Sequence, residues 1–126
     1  QAAALNNTTV VSLLINKGLS VNASTTDGNT PLMIAISRGH SKTVSVLISE
    51  SAEVNSKNNV GNTPLILAVL DGNTESVKLL LDAGADISIR NNKREQAIEL
   101  AKQVNNKSII ELLEKHKNSK KIFGIF

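Results

Sequence analysis

Few residues in this chain are of types that could do chemistry. The histidines are His40 and His116, and a catalytic or metal-binding role would need a nucleophile or further ligands at useful spacing from either. Neither has such a neighbour. Acidic pairs near a one-turn spacing include Asp82 with Asp86 and Glu111 with Glu114. Both pairs fall on second-helix or loop positions, where solvated surface charge is the simpler account. Gly28, Gly61 and Gly72 could suggest a phosphate cradle, but they stand singly and form no glycine-rich loop. With no cysteine there is no thiolate to bind metal and no disulfide framework. The expectation is therefore no catalytic residue, no metal site and no cofactor, which turns attention to binding.

The elements that position these residues repeat. Thr30-Pro31-Leu32, followed by Ala35 and Gly39, recurs 33 residues later as Thr63-Pro64-Leu65, followed by Ala68 and Gly72. The register extends backward, from Val44 and Leu47 to Val11 and Leu14, and from Val54-Asn55 to Val21-Asn22. Going forward, Gln96-Ala97-Ile98-Glu99-Leu100-Ala101 keeps the apolar positions and loses Thr-Pro. Val77, Leu80 and Leu81 become Ile110, Leu113 and Glu114, so one core position turns polar. The chain divides into a partial unit at 1–24, full units at 25–57 and 58–90, a degenerate capping unit at 91–116 and a tail at 117–126, all within one domain.

Each unit spells two short helices and a loop. Thr63 can cap a helix that begins at Pro64, whose missing N–H costs nothing in a first turn, and that runs to about Leu70. Gly72 breaks it. Thr74 to Leu81 makes a second helix with Glu75 near its positive end, and Gly84 sits where a left-handed cap is wanted. The polar stretches 24–29, 56–62 and 88–93 suit hairpin-like turns. Helices this short are unstable alone, so each unit must bury its apolar face against its neighbours.

These residues resemble the ankyrin-repeat family. Gly28-x-Thr30-Pro31-Leu32-x-x-Ala35, Gly39-His40, Val44-x-x-Leu47-Ile48 and Ala52-x-Val54-Asn55 match its pattern, and 61–86 matches better still. The resemblance implies an all-α solenoid of antiparallel helix pairs, with hairpins projecting from one edge and a concave face that binds protein or peptide. His40 then falls in the family's structural Gly-His turn. Two departures stand out. The histidine that the family places after Thr-Pro-Leu, tying adjacent loops together, is replaced by Met33, Ile66 and Glu99, so that polar tie is expected to be absent. Ser51 stands where Gly18 and Gly84 stand, and is expected to weaken its helix terminus.

The net charge of +3 invites a nucleic-acid reading that its distribution opposes. Residues 1–114 hold ten basic and eleven acidic residues, and the excess comes from Lys115, Lys117, Lys120 and Lys121. No basic stripe follows the repeat body, so nucleic acid is not an expected partner. No apolar run reaches membrane-spanning length, and a membrane enters the expectations only through the tail. Composition fits an intracellular repeat domain, expected in the cytoplasm, with secretion into a host cell as the competing expectation. Gln1 at the start, followed by the back half of a unit, suggests a trimmed chain whose upstream repeat or cap is missing.

The resemblance places partner contacts on the turn tips and the exposed end of each first helix. By register these are Thr26, Asp27, Asn29, Ser37 and Arg38; then Asn59, Val60, Asn62, Leu70 and Asp71; then Asn92, Lys93, Glu95, Gln103 and Val104; and, in the partial unit, Ala4 and Leu5. Leu5, Val60, Leu70 and Val104 are apolar where water is expected. Leu5, Leu70 and Val104 share one first-helix face, so stacking should line them into a stripe beside Arg38 and Asp71. In the competing account, the next hairpin partly buries Leu70 and Val104, and they serve packing alone. The tail carries both phenylalanines of the chain, Phe123 and Phe126. It is expected either to fold back as a hydrophobic cap, the favoured reading, or to dock a partner or membrane surface, or to begin a further segment. Two function classes follow: a scaffold or adaptor that binds another protein, and a targeting or regulatory module of a larger polypeptide, such as a secreted effector whose activity lies elsewhere.

Overall fold

A computed structural model describes residues 22–125, with side chains described through 118. The partial unit, including Ala4 and Leu5, lies outside the described residues apart from its last three positions. Six helices follow in chain order: α1 Pro31–Ser37, α2 Ser41–Ser49, α3 Pro64–Asp71, α4 Thr74–Asp82, α5 Ala97–Gln103 and α6 Lys107–Ile125. Among the described residues there are no strands. First helices α1, α3 and α5 pack in one row and second helices α2, α4 and α6 in another, each pair joined across the layers. The result is an all-α two-layer stack.

The helix starts follow the sequence closely. The hydroxyls of Thr30 and Thr63 accept from the backbone N–H of Met33 and Ile66 at 3.3 and 3.2 Å, with proline in the first turn of each helix. Gln96 replaces threonine before α5. There the Gln96 backbone N–H donates to Glu99 Oε1 at 2.9 Å, and Arg90 pairs with the same carboxylate oxygen at 3.1 Å. At the second-helix starts, Asn73 and Asn106 cap α4 and α6 through Oδ1, while His40, at the same register position, opens α2 without a side-chain cap bond.

Burial obeys the period. Leu32 and Leu65, Ile36 and Val69, and Leu47, Leu80 and Leu113 are each at most 1 % exposed, so every inner unit contributes the same apolar positions to one continuous core. Met33 and Ile66, at the family's histidine position, are 1 % exposed, whereas Glu99 at that position is open to water. Glu114, facing Leu81 in register, is likewise exposed. The last described unit is therefore polar and exposed at two positions where its predecessors are apolar.

Left-handed residues recur at three register positions. Ser51 and Gly84 end second helices with φ of 68° and 92°; Gly39, Gly72 and Asn105 end first helices at 71°, 68° and 56°; Gly28, Gly61 and Arg94 lie in the hairpins at 80°, 82° and 65°. Ser51 thus adopts the strained conformation its position suggested. Ser51→Gly is expected to stabilise the fold by about 1 kcal/mol, by removing the Cβ penalty. An unchanged urea midpoint would contradict this.

The tail departs from the favoured expectation. It does not fold back over the last helix pair, because α6 runs without a turn from Lys107 to Ile125. No helix among the described residues is long and apolar enough to cross a membrane.

Candidate functional site

The hairpin tips are built by asparagine. In the turn at 58–62, Asn58 Oδ1 accepts from the backbone N–H of Val60 and Asn62 at 3.1 and 3.0 Å; Asn91 Oδ1 does the same for Lys93 and Glu95 at 2.9 and 3.0 Å. An Asx turn of this kind closes the loop without a strand pair. Each amide then reaches back one unit: Asn58 Nδ2 donates to Asn29 Oδ1 at 3.0 Å, and Asn91 Nδ2 donates to Asn62 Oδ1 at 3.1 Å. Asn91 Nδ2 also donates to Glu95 Oε1 at 3.0 Å.

A second ladder joins the tips themselves. The Asn59 backbone N–H donates to the carbonyl of Asp27 and its Nδ2 to that of Thr26, at 3.0 and 2.8 Å. Asn92 repeats the pattern on Val60 and Asn59, at 3.1 and 3.0 Å. On the far side of each hairpin, Asn22 and Asn55 accept from the N–H of Glu53 and Asp86, both at 2.8 Å. The polar tie expected to be missing is therefore supplied by asparagine. Sequence reasoning missed it because an asparagine in a turn already has a local role; the signal was its recurrence at 33 residues.

This ladder needs glycine beneath it. A Cβ on Gly28 would lie 2.7 Å from Asn59 Oδ1, and one on Gly61 would lie 2.5 Å from Asn92 Oδ1 and 2.6 Å from its nitrogen. Arg94 holds the third register position, also at positive φ.

Between the tips and the first-helix layer runs a groove of 370 Å³, lined by Val60, Asn62, Leu70, Asn91, Lys93, Glu95, Leu100 and Gln103. A second depression of 510 Å³ adjoins it at the end of α3, where Leu70, Asp71 and Val104 face Asn106 and Lys107. Leu70 belongs to both. Val60, Leu70 and Val104 are 58 %, 46 % and 53 % exposed, so about half of each side chain stays open to water. The structure thus gathers Val60, Asn62, Leu70, Asp71, Lys93, Glu95, Gln103 and Val104 on one face. The stripe is staggered, because Val104 aligns in register with Asp71 and Leu70 with Gln103. Leu100 in the groove floor was not anticipated, since its period assigned it to the core.

Not every expected contact residue is available. Asn29, Asn62, Asn59 and Glu95 spend side-chain groups on the ladder, which makes them positioning residues first. Thr26, Asp27, Ser37, Arg38, Asn92 and Lys93 are exposed, outside the apolar centre. Asp71 is paired with no cation among the described residues, and partial burial raises its carboxyl above the ordinary value of 3.8. The folded chain therefore holds this proton more tightly than the unfolded one. Its favourable contribution to folding is full below pH 3.8 and is lost as the pH rises through the higher folded value.

The family model described as ankyrin repeats (3 copies) matches residues 1–91 and, overlapping them, 48–122. The chain belongs to the ankyrin-repeat family. Ankyrin repeats are in general protein–protein interaction modules and typically non-enzymatic. No curated protein was found to match the chain. Among the described residues of this ankyrin-repeat domain, no three of His, Cys, Asp and Glu are grouped as a metal ion would require. The acidic pairs Asp82 with Asp86 and Glu111 with Glu114 are all exposed.

Proposed function

We propose that this ankyrin-repeat domain recognises a protein or peptide through the groove between its hairpin tips and first helices, centred on Leu70. The carrying observation is that Val60, Leu70 and Val104, the most exposed large apolar residues among the described ones, stay half open to water on one face, whereas Ile34, the next, is 36 % exposed. Exposed aliphatic surface at a concave edge is costly in isolation, and a partner that covers it recovers that cost. Lys93 at a tip and the unpaired Asp71 at the helix end give the apolar centre a polar rim of both signs, which can fix register and orientation. The ladder holds the tips in place before a partner arrives, so little ordering entropy is lost on binding.

Leu70→Ser tests this against the packing account. Partner capture by affinity pull-down, quantified beside the wild-type domain, is expected to fall by about tenfold or more, while stability changes by no more than about 0.5 kcal/mol. Unchanged capture would refute the site. A loss of several kcal/mol would show Leu70 to be a packing residue.

A further inference from the structure

We propose a second docking site, for a short non-helical segment of a partner protein that reads alanine, an acidic residue, then valine or isoleucine. A cavity of 390 Å³ opens between the chain that leaves α4 and the helices α5 and α6, with Ile87, Ile98 and Leu113 as its apolar lining and Ser88, Gln96 and Lys117 among its polar lining.

The repeat shows what such a place holds. Counting back 33 residues carries Ile98, Leu113 and Ser88 onto Leu65, Leu80 and Asn55. There the seat is taken. The Ala85 backbone N–H donates to the Leu80 carbonyl at 3.0 Å and the Asp86 N–H to Asn55 Oδ1 at 2.8 Å, which pins Ala85-Asp86 between the counterparts of Leu113 and Ser88. One unit earlier, Ala52 and Glu53 bond in the same way to Leu47 and Asn22, at 2.9 and 2.8 Å. The two occupants are therefore Ala52-Glu53-Val54 and Ala85-Asp86-Ile87, with alanines 8 % and 0 % exposed.

Beside α5 and α6 the chain takes another course. Lys117 stands where the left-handed Gly84 turns the chain away from α4, and α6 stays helical through 118–120, the positions in register with Ala85 to Ile87. Burial records the difference. Thr63 and Leu65 are 2 % and 1 % exposed, whereas Gln96 and Ile98 at the same register are only partly buried. Ser88 gives its hydroxyl proton to Asp86 Oδ1 at 2.6 Å, so its oxygen can still accept an N–H, as Asn55 Oδ1 does.

These features select the occupant. An alanine and a β-branched residue suit a cavity lined by three aliphatic side chains, and burying the larger of them supplies the affinity. Lys117 forms no ion pair among the described residues, so an acidic residue between the two meets a complementary charge. Both occupants seen in the inner units are non-helical, which sets the conformation of the incoming segment. The inference does not depend on the groove around Leu70.

An acetylated and amidated peptide with the sequence of residues 83–90 serves as the probe, titrated into the full chain and followed by NMR. The signals of Ile87, Ile98 and Leu113 should shift together and saturate with a Kd of about 1 mM or tighter, while those of Leu70 and Val104 stay in place. Ile87→Asp within the peptide should weaken binding about tenfold or more. Lys117→Glu in the domain, at an exposed site that leaves the unfolding midpoint unchanged, should weaken it about threefold or more. No saturable shift at ~5 mM peptide, shifts centred on Leu70, or equal binding by the Asp-substituted peptide would overturn the inference.

Discussion

Gly61→Ala is expected to cost about 2–4 kcal/mol of unfolding free energy, whereas Gly39→Ala costs only about 1 kcal/mol. Both glycines have positive φ, 82° and 71°, so the intrinsic penalty of a side chain is similar at the two sites. What differs is the neighbour. A Cβ on Gly39 meets nothing within 4 Å, but on Gly61 it would lie 2.5 Å from Asn92 Oδ1 and 2.6 Å from the Asn92 nitrogen. Neither atom can retreat without breaking the bonds from Asn92 to the carbonyls of Val60 and Asn59. The substitution therefore adds the loss of the tip ladder to the backbone strain. Urea unfolding followed by circular dichroism checks it, and equal losses at the two glycines would mean that the hairpin seat contributes little.

Asn91→Ala should be nearly as damaging, at about 2–3 kcal/mol, because one half-buried side chain serves four hydrogen bonds. Its Oδ1 closes the turn through Lys93 and Glu95, and its Nδ2 ties the unit to Asn62. Asn91→Asp separates these roles. An aspartate keeps the acceptor for the turn but loses the donor to Asn62, and it places a second carboxylate beside Glu95. The Asp variant should therefore lose much of the same stability at neutral pH and recover part of it in acid, where one of the two carboxylates takes a proton. A variant as stable as wild type at pH 7 would show that the tie between units carries no weight.

The stacked architecture was legible because its signals are local and repeat. Thr63-Pro64 starts a helix by the chemistry of two adjacent residues, Gly72 ends it by its own backbone freedom, and Leu65, Val69 and Leu80 declare their burial through the period. The asparagine ladder was harder to see. Asn58 and Asn91 are ordinary turn residues by type, and only folding brings each within reach of a partner 29 residues earlier. Arg94 and Asn105 adopt left-handed conformations that their types did not announce, although both align with glycines in earlier units.

The groove was legible in part for the same reason. Val60, Leu70 and Val104 could be picked out as apolar residues at positions that the fold leaves wet. Leu100 and Asn91 could not, since a core period and a turn composition had already accounted for them. Asn29, Asn59 and Asn62 were rightly placed at the hairpins, but their amides face the neighbouring unit instead of standing free. The tail was expected to fold back because an apolar segment after a last helix invites it, whereas α6 continues as one helix to Ile125.

The central claim, that partners are held in the groove around Leu70, is tested most directly by methyl NMR of the domain with a captured partner or peptide titrated in. The methyl signals of Val60, Leu70, Leu100 and Val104 should shift together and saturate with one affinity, while those of Ile48, Leu79 and Leu112 on the second-helix layer stay in place. A footprint on that second layer, with the four groove methyls unmoved, would contradict the account.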